Sequence, residues 1–321
     1  MSRMPKTVEL SARDIVDRVR AGELTRVEVV QAHLDVVASS NASVGALVAV
    51  RGEEALREAD EADRTGNYRG ILDGVPMSVK SEYDVAGLPT THGNKNMVDE
   101  IARQDSPVVA RLRAQGAIII GKGNQPDFAM RWNTHSSELG WTRNPRDLNK
   151  SVGGSSGGDA AAVAAGMVAV GFGTDLAGSI RVPAAFSQIY GLRATPGRIP
   201  YASEHRDSVR SPAVEAMSSQ GPLARTVDDL RVAFAATAGA SARHPFSLSS
   251  QPCVEETTGP LRVARIVHQS GADVSPEMEE KVDETCRALE EVGYQIEDAE
   301  FPGVNSLPQN CGCMCCRNCA K

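Results

Sequence analysis

Residues 151–159 read Ser-Val-Gly-Gly-Ser-Ser-Gly-Gly-Asp; an alanine-rich run follows, and then Gly173-Thr-Asp-Leu-Ala-Gly-Ser-Ile-Arg-Val-Pro183. Gly153, Gly154, Gly157 and Gly158 bracket two serines. Glycine lets a backbone take special conformations or approach a neighbour closely, so the serine hydroxyls sit where the main chain is free to shape a site. Asp159 to Gly166 is predicted helical and Met167 to Phe172 a buried strand, after which a second glycine-containing turn carries Ser179. Free N–H groups at a helix start, and successive N–H groups in the second turn, are the raw material of an oxyanion hole.

The same rhythm extends outward. Residues 9–39 carry helical spacing on two faces, with Gly22 between them, and the charge-rich 53–66 is a solvated helix. Leu72 to Lys80 is a turn feeding a short strand that ends on lysine. Ser106 caps a helix running to Gly116, with Pro107 in its first turn, and Ala117 to Gly121 is an apolar strand buried on both faces. Helices at 226–238 and 276–292 and strands at 261–267 and 294–296 complete the pattern. Strands alternating with helices predict an α/β fold around a mixed, largely parallel central sheet covered by helices.

Composition removes several classes of function. The 34 Lys+Arg against 41 Asp+Glu leave a net charge of −7, so no basic field draws nucleic acid or anionic lipid. No apolar run is long enough to span a bilayer, and the first 252 residues hold no cysteine, so a cytoplasmic protein is expected. None of His33, His92, His135, His205, His244 and His268 falls in a metal-ligand spacing, and neither metal nor cofactor is expected.

Three readings of the Gly/Ser stretch compete. A phosphate-binding loop requires a lysine directly after its last glycine, which is missing here. Gly153-Gly154-Ser155-Ser156-Gly157 matches the G-x-S-x-G elbow of α/β-hydrolases, but that elbow follows a strongly apolar strand and Asn144 to Lys150 is polar. The third reading is a resemblance. The stretch is similar to the signature of the amidase signature family, a GGSSGG loop followed by G-T-D-x-G-G-S-I-R-x-P. Asp73 to Lys80 and Asp84 to Thr91 resemble its lysine segment, Gly121 to Met130 its substrate cleft, and Tyr190 to Arg198 and Gln220 to Val227 its downstream segments. The likeness runs in the family's order over roughly residues 8–300.

The resemblance implies an amidase that cleaves a carboxamide C–N bond other than a peptide bond and releases a carboxylate with ammonia or an amine. Ser179 would be the nucleophile. Ser155, after a cis peptide, would relay protons to Lys80 as base. Backbone N–H groups of Leu176, Ala177, Gly178 and Ser179 would form the oxyanion hole, and Met130 and Gly154 would contact substrate. The chemistry suits these residues: a serine needs a base to take its proton, and a lysine serves only when burial has lowered its pKa. Val75, Pro76, Met77 and Val79 around Lys80 are consistent with such burial. Asp175 is expected to hold its loop by hydrogen bonds and Arg181 to act as an ion-pair partner. Two departures stand out. Ala177 replaces a usual glycine, which matters if that residue needs a positive φ, and Ser81 stands where many relatives carry aspartate after the lysine.

The expected partner is a small-molecule amide, with no nucleic acid or membrane; a homodimer is compatible with the family. The alternative is a non-catalytic or subunit-like member, such as the amidase subunit of an amidotransferase. Residues 1–305 are taken as the family domain with its C-terminal part missing, which predicts an exposed sheet edge or a covering partner. Residues 306–321 form an atypical tail with Cys311, Cys313, Cys315, Cys316 and Cys319.

Overall fold

The computed structural model describes residues 6–204, 212–249, 259–267 and 274–300. His205, His268, Cys253 and the 306–321 tail lie outside the described residues. The chain divides into two compact units, residues 1–251 and 252–321.

In the first unit, α1 (Ala12–Arg20) and α2 (Arg26–Val44) are separated by a turn in which Gly22 has a positive φ of 72°, so the two helical faces read on either side of Gly22 are two capped helices. Next come β1 (Leu47–Val50), α3 (Gly52–Thr65), β2 (Pro76–Lys80), α4 (Pro107–Ala114) and β3 (Ile118–Gly123). The Ser106 hydroxyl accepts the Val109 N–H and caps α4 as expected. Two hairpins follow, β4 (His135–Ser136) with β5 (Gly140–Trp141) and β6 (Arg143–Asn144) with β7 (Asp147–Ser151). Then come α5 (Gly157–Ala164), β8 (Val170–Asp175), α6 (Arg181–Ser187), β9 (Tyr190–Gly191), α7 (Pro212–Met217), β10 (Ser219–Ala224) and α8 (Val227–Thr237).

The sheet order is β1-β3-β2-β8-β10-β9. Its centre, β3-β2-β8, is parallel, while β1 and β10 join it antiparallel and β9 extends β10 antiparallel. This is the mixed, helix-covered sheet expected from the sequence. Side chains alternate across a strand. Ile119 therefore packs with Met77, Val79, Phe172, Leu112 and Leu230 on one face, while Ile118 and Ile120 pack with Val30 and Ala160 to Val163 of α5 on the other. Ser78 and Lys80 alternate with Met77 and Val79 and so belong to the α5 face, where their polar ends find partners.

In the second unit, β11 (Arg262–Arg265) and β12 (Gln295–Asp298) pair in parallel, with α9 (Pro276–Glu291) between them in sequence. Arg265 joins strand to helix through Asp283 and strand to strand through Asp298. Among the described residues no helix is long and apolar enough to cross a membrane.

Candidate active site

Lys80, the last residue of β2, is fully buried. Its Nζ donates to Ser155 Oγ at 2.7 Å and to Thr174 Oγ1 at 2.8 Å, and Glu82 Oε1 lies 3.5 Å away. Burial drives the lysine pKa down, against the opposing pull of Glu82, then Asp159 and Asp175.

Ser155 is also fully buried, and the Gly154–Ser155 peptide is cis. Ser179 is 7% exposed, opening to solvent where Ser155 and Lys80 do not. The Ser156 N–H donates to the Ser179 carbonyl at 3.0 Å, which ties the two Gly/Ser loops together. The Lys80–Ser155 link is closed; a Ser155–Ser179 hydroxyl bond is not among the hydrogen bonds of the described residues. Catalytic hydrogen bonds commonly tighten only in the substrate complex.

The glycine run serves close approach. At Gly158 a Cβ would overlap Asn124 N and Ala46 O, and the Gly158 N–H donates to Asn124 O at 3.0 Å. The Gly158 N–H at the start of α5 is therefore taken by the fold itself.

That turn is organised by Asp175, which is fully buried. Its carboxylate accepts the N–H groups of Gly178 (2.7 Å), Ile180 (3.1 Å) and Arg181 (3.4 Å) and pairs with the Arg181 guanidinium. The loop-holding role of Asp175 and the ion-pair role of Arg181 match expectation. The engaged Gly178 N–H differs from it: this donor is occupied by Asp175, leaving Leu176, Ala177 and Ser179 on the expected set. The concern over Ala177 also dissolves. The positive φ of this turn, 104°, belongs to Gly178, and Ala177 is not among the positive-φ residues. Leu176 and Ala177 are both exposed.

Of the expected substrate contacts, Gly154 is buried beside the Asn133 backbone and Met130 is 59% exposed. Met130 follows Phe128 and Ala129, which hold φ values of 53° and 60°. The nearby Trp132 indole N–H donates to the Ala177 carbonyl at 2.8 Å, joining this segment to the turn that carries Ser179.

Two groups escaped the sequence reading. Glu82 is buried next to Lys80, and Thr174 bridges them, its hydroxyl donating to Glu82 while accepting from Lys80. The signal for Glu82 was a carboxylate two residues after the lysine; none existed for Thr174. Asp159 is a third surprise: fully buried, it accepts the Ser78 hydroxyl at 2.7 Å, and burial pushes its pKa up to about 7.

Known proteins share this arrangement of sequence and fold. Residues 28–316 match the family model described as Amidase, a span that runs past residue 300, near which the motif likeness ended. The chain is 36% identical over 302 residues to an indoleacetamide hydrolase of Bradyrhizobium diazoefficiens, covering 93% of this chain and 58% of that protein. It is 35% identical to a glutamyl-tRNA(Gln) amidotransferase subunit of Symbiobacterium thermophilum, covering 92% of this chain and 61% of the relative. Among solved structures, 6-aminohexanoate cyclic dimer hydrolase in complex with substrate superposes with a TM-score of 0.81 at 31% identity, covering 91% of this chain and 61% of that one. The chain thus spans about three-fifths of the length of these relatives.

Proposed function

This chain belongs to the amidase family, and on that footing we propose that it hydrolyses the C–N bond of a small-molecule amide, with Ser179 as nucleophile, Ser155 as proton relay and Lys80 as base. The observation that carries the reading is the 2.7 Å contact between a fully buried lysine amine and the Ser155 hydroxyl. A lysine held in that environment spends more of its time neutral than a solvated one, which is what a base requires.

The steps balance. Ser179 Oγ bonds to the carbonyl carbon, its proton passes to Ser155 Oγ, and the Ser155 proton passes to Lys80 Nζ. The carbonyl electron pair becomes an oxyanion facing the N–H groups of Leu176, Ala177 and Ser179. The tetrahedral species collapses as the C–N bond breaks, Ser155 giving its proton to the leaving nitrogen and taking one back from Lys80. Water then attacks the Ser179 ester by the same route and releases the carboxylate. Met130 and Gly154 line the substrate side in this reading, and residues 1–305 form the hydrolase domain, with 306–321 apart from it. Linear amides are the proposed substrates, a cytoplasmic homodimer the proposed form, and no cofactor takes part.

A fluorophosphonate probe tests the reading. It labels Ser179, as mapped on the modified peptide, and Ser179→Ala abolishes the labelling; labelling confined to Ser155 would revive the elbow reading. The likeness to amidotransferase subunits supports a second reading, in which activity appears only with partner subunits. Hydrolysis of simple amides by the isolated chain separates the two.

A further inference from the structure

We propose that Glu82 is a positioning residue: with Thr174 it aims the lone pair of Lys80 at Ser155 and sets the pH at which that amine becomes a base. The inference rests on the reading of Lys80 as base given above.

The backbone brings the carboxylate to the amine. The Tyr83 N–H donates to the Lys80 carbonyl at 2.9 Å, closing a four-residue turn at the end of β2. The turn folds Glu82 back beside the amine, where it is 4% exposed and its Oε1 lies 3.5 Å from Nζ. Thr174 arrives from β8, on the other side of β2 from β3. Its hydroxyl has one hydrogen, which goes to Glu82 Oε1, so toward Nζ it can only accept.

The hydrogens on nitrogen then decide the geometry. Charged Lys80 has three, and Ser155 Oγ, Thr174 Oγ1 and Glu82 Oε1 can take one each. Neutral Lys80 has two. Thr174 and the Glu82 carboxylate are both acceptors toward Nζ, so they hold those two, and the lone pair is left facing Ser155. Ser155 is the one neighbour of the three that has a hydrogen to give back. An acceptor pair on the far side therefore converts a freely rotating amine into an aimed base.

The same carboxylate favours the ammonium, so it holds the onset of base character at a higher pH than burial alone would. Other charges face Lys80 at longer range. Asp159 approaches from α5, where it is bonded to Ser78, and Asp175 from β8, where Arg181 pairs with it. Neither is a hydrogen-bond partner of Nζ. Ser81, between the two residues, contributes nothing: its buried hydroxyl has no partner among the described residues.

The test is the pH dependence of fluorophosphonate labelling of Ser179 in the 321-residue chain. Labelling rises with pH as Lys80 loses its proton. Glu82→Gln shifts the midpoint of that rise down by about one pH unit, so that one unit below the wild-type midpoint the variant reaches a fraction of its plateau about five-fold larger than wild type does. Glu82→Asp, which keeps the charge, moves the midpoint back toward wild type. Thr174→Val shifts the midpoint the same way as Glu82→Gln, and it serves alone should Glu82→Gln fail to fold. A midpoint unmoved in the folded variants, whatever the plateau, overturns the proposal and reduces Glu82 to packing. Lys80→Met is the control for the underlying reading: full labelling of that variant, or none of wild type, removes Lys80 as base and this inference with it.

Discussion

Two lysines are fully buried on adjacent parallel strands, Lys80 ending β2 and Lys122 one position from the end of β3, with Val79 registered opposite Lys122. Burial lowers the pKa of both, that of Lys122 to about 7. Their partners differ. Lys122 Nζ donates to the Pro89 carbonyl at 2.6 Å and reaches Thr90 Oγ1 at 3.5 Å; the carbonyl has no proton to pass on, and the Thr90 hydrogen is given to Asp84 at 2.8 Å. Lys80 meets two hydroxyls and a carboxylate. A perturbed pKa in a buried lysine therefore does not mark a base. On the proposed reading, what marks it is a neighbour that can return a proton, and the Ser155 hydroxyl at 2.7 Å would be that neighbour.

The sharpest way to break this comparison is to remove each amine in turn. Lys80→Met is expected to slow Ser179 labelling by about 10²–10⁴-fold, the usual worth of a general base. Lys122→Met leaves the Pro89 carbonyl and Thr90 without their donor and is expected to lower the melting temperature, with labelling by the folded protein within about ten-fold of wild type. Equal losses of labelling in folded samples would erase the distinction between base and strut.

A smaller effect separates the charges around the two amines. Asp159 lies on the Lys80 side, whereas Lys122 is influenced by Asp84 and Glu138. The Asp159 pKa is raised from 3.8 to about 7 by burial. Between those values the folded state holds a proton that the unfolded state has released, so stability falls as pH rises and the full penalty, up to about 4 kcal/mol, applies above pH 7. Asp159→Asn keeps an acceptor for Ser78 without the charge. It is expected to melt above wild type at pH 8, with the gap closing toward pH 5; a gap that widens toward acid would reverse the sign and show the carboxylate to be a net stabiliser.

These contrasts also divide what was legible in the sequence from what was not. Lys80, Ser155, Ser179 and the Asp175 turn stand in contiguous motifs, and β2, β3, α4 and α5 follow from local periodicity and capping. Glu82 was visible as a residue but not as a neighbour, because its position depends on the turn closed by Tyr83. Thr174 meets Lys80 across 94 residues of chain, through strand register that no local pattern encodes. β10 went unread for a related reason: Ser-Gln-Gly-Pro-Leu-Ala has a glycine and a proline in its middle and gains its strand form from pairing with β8. Its neighbour β9 pairs only with Leu223 and Ala224, so the N–H that Pro222 lacks is not called on there. The burial of Asp159 beneath β2 is likewise a tertiary fact.

The smallest effect concerns the serines on either side of Lys80. Both are fully buried, yet Ser78 Oγ donates to Asp159 while Ser81 Oγ has no partner among the described residues. Removing a paired hydroxyl leaves its partner unsatisfied, whereas removing an orphan relieves a desolvation penalty. Ser78→Ala is therefore expected to destabilise the chain by about 1–3 kcal/mol, and Ser81→Ala to be neutral or stabilising by about 1 kcal/mol, in denaturant melts at pH 8. Combining each with Asp159→Asn sharpens the assignment. The loss in Ser78→Ala should shrink in that background, since an uncharged amide left without its hydroxyl partner costs less than a carboxylate, while the effect of Ser81→Ala should be unchanged. A Ser81→Ala loss as large as that of Ser78→Ala would mean that the position-81 hydroxyl has a partner after all and is not the orphan that the desolvation argument requires.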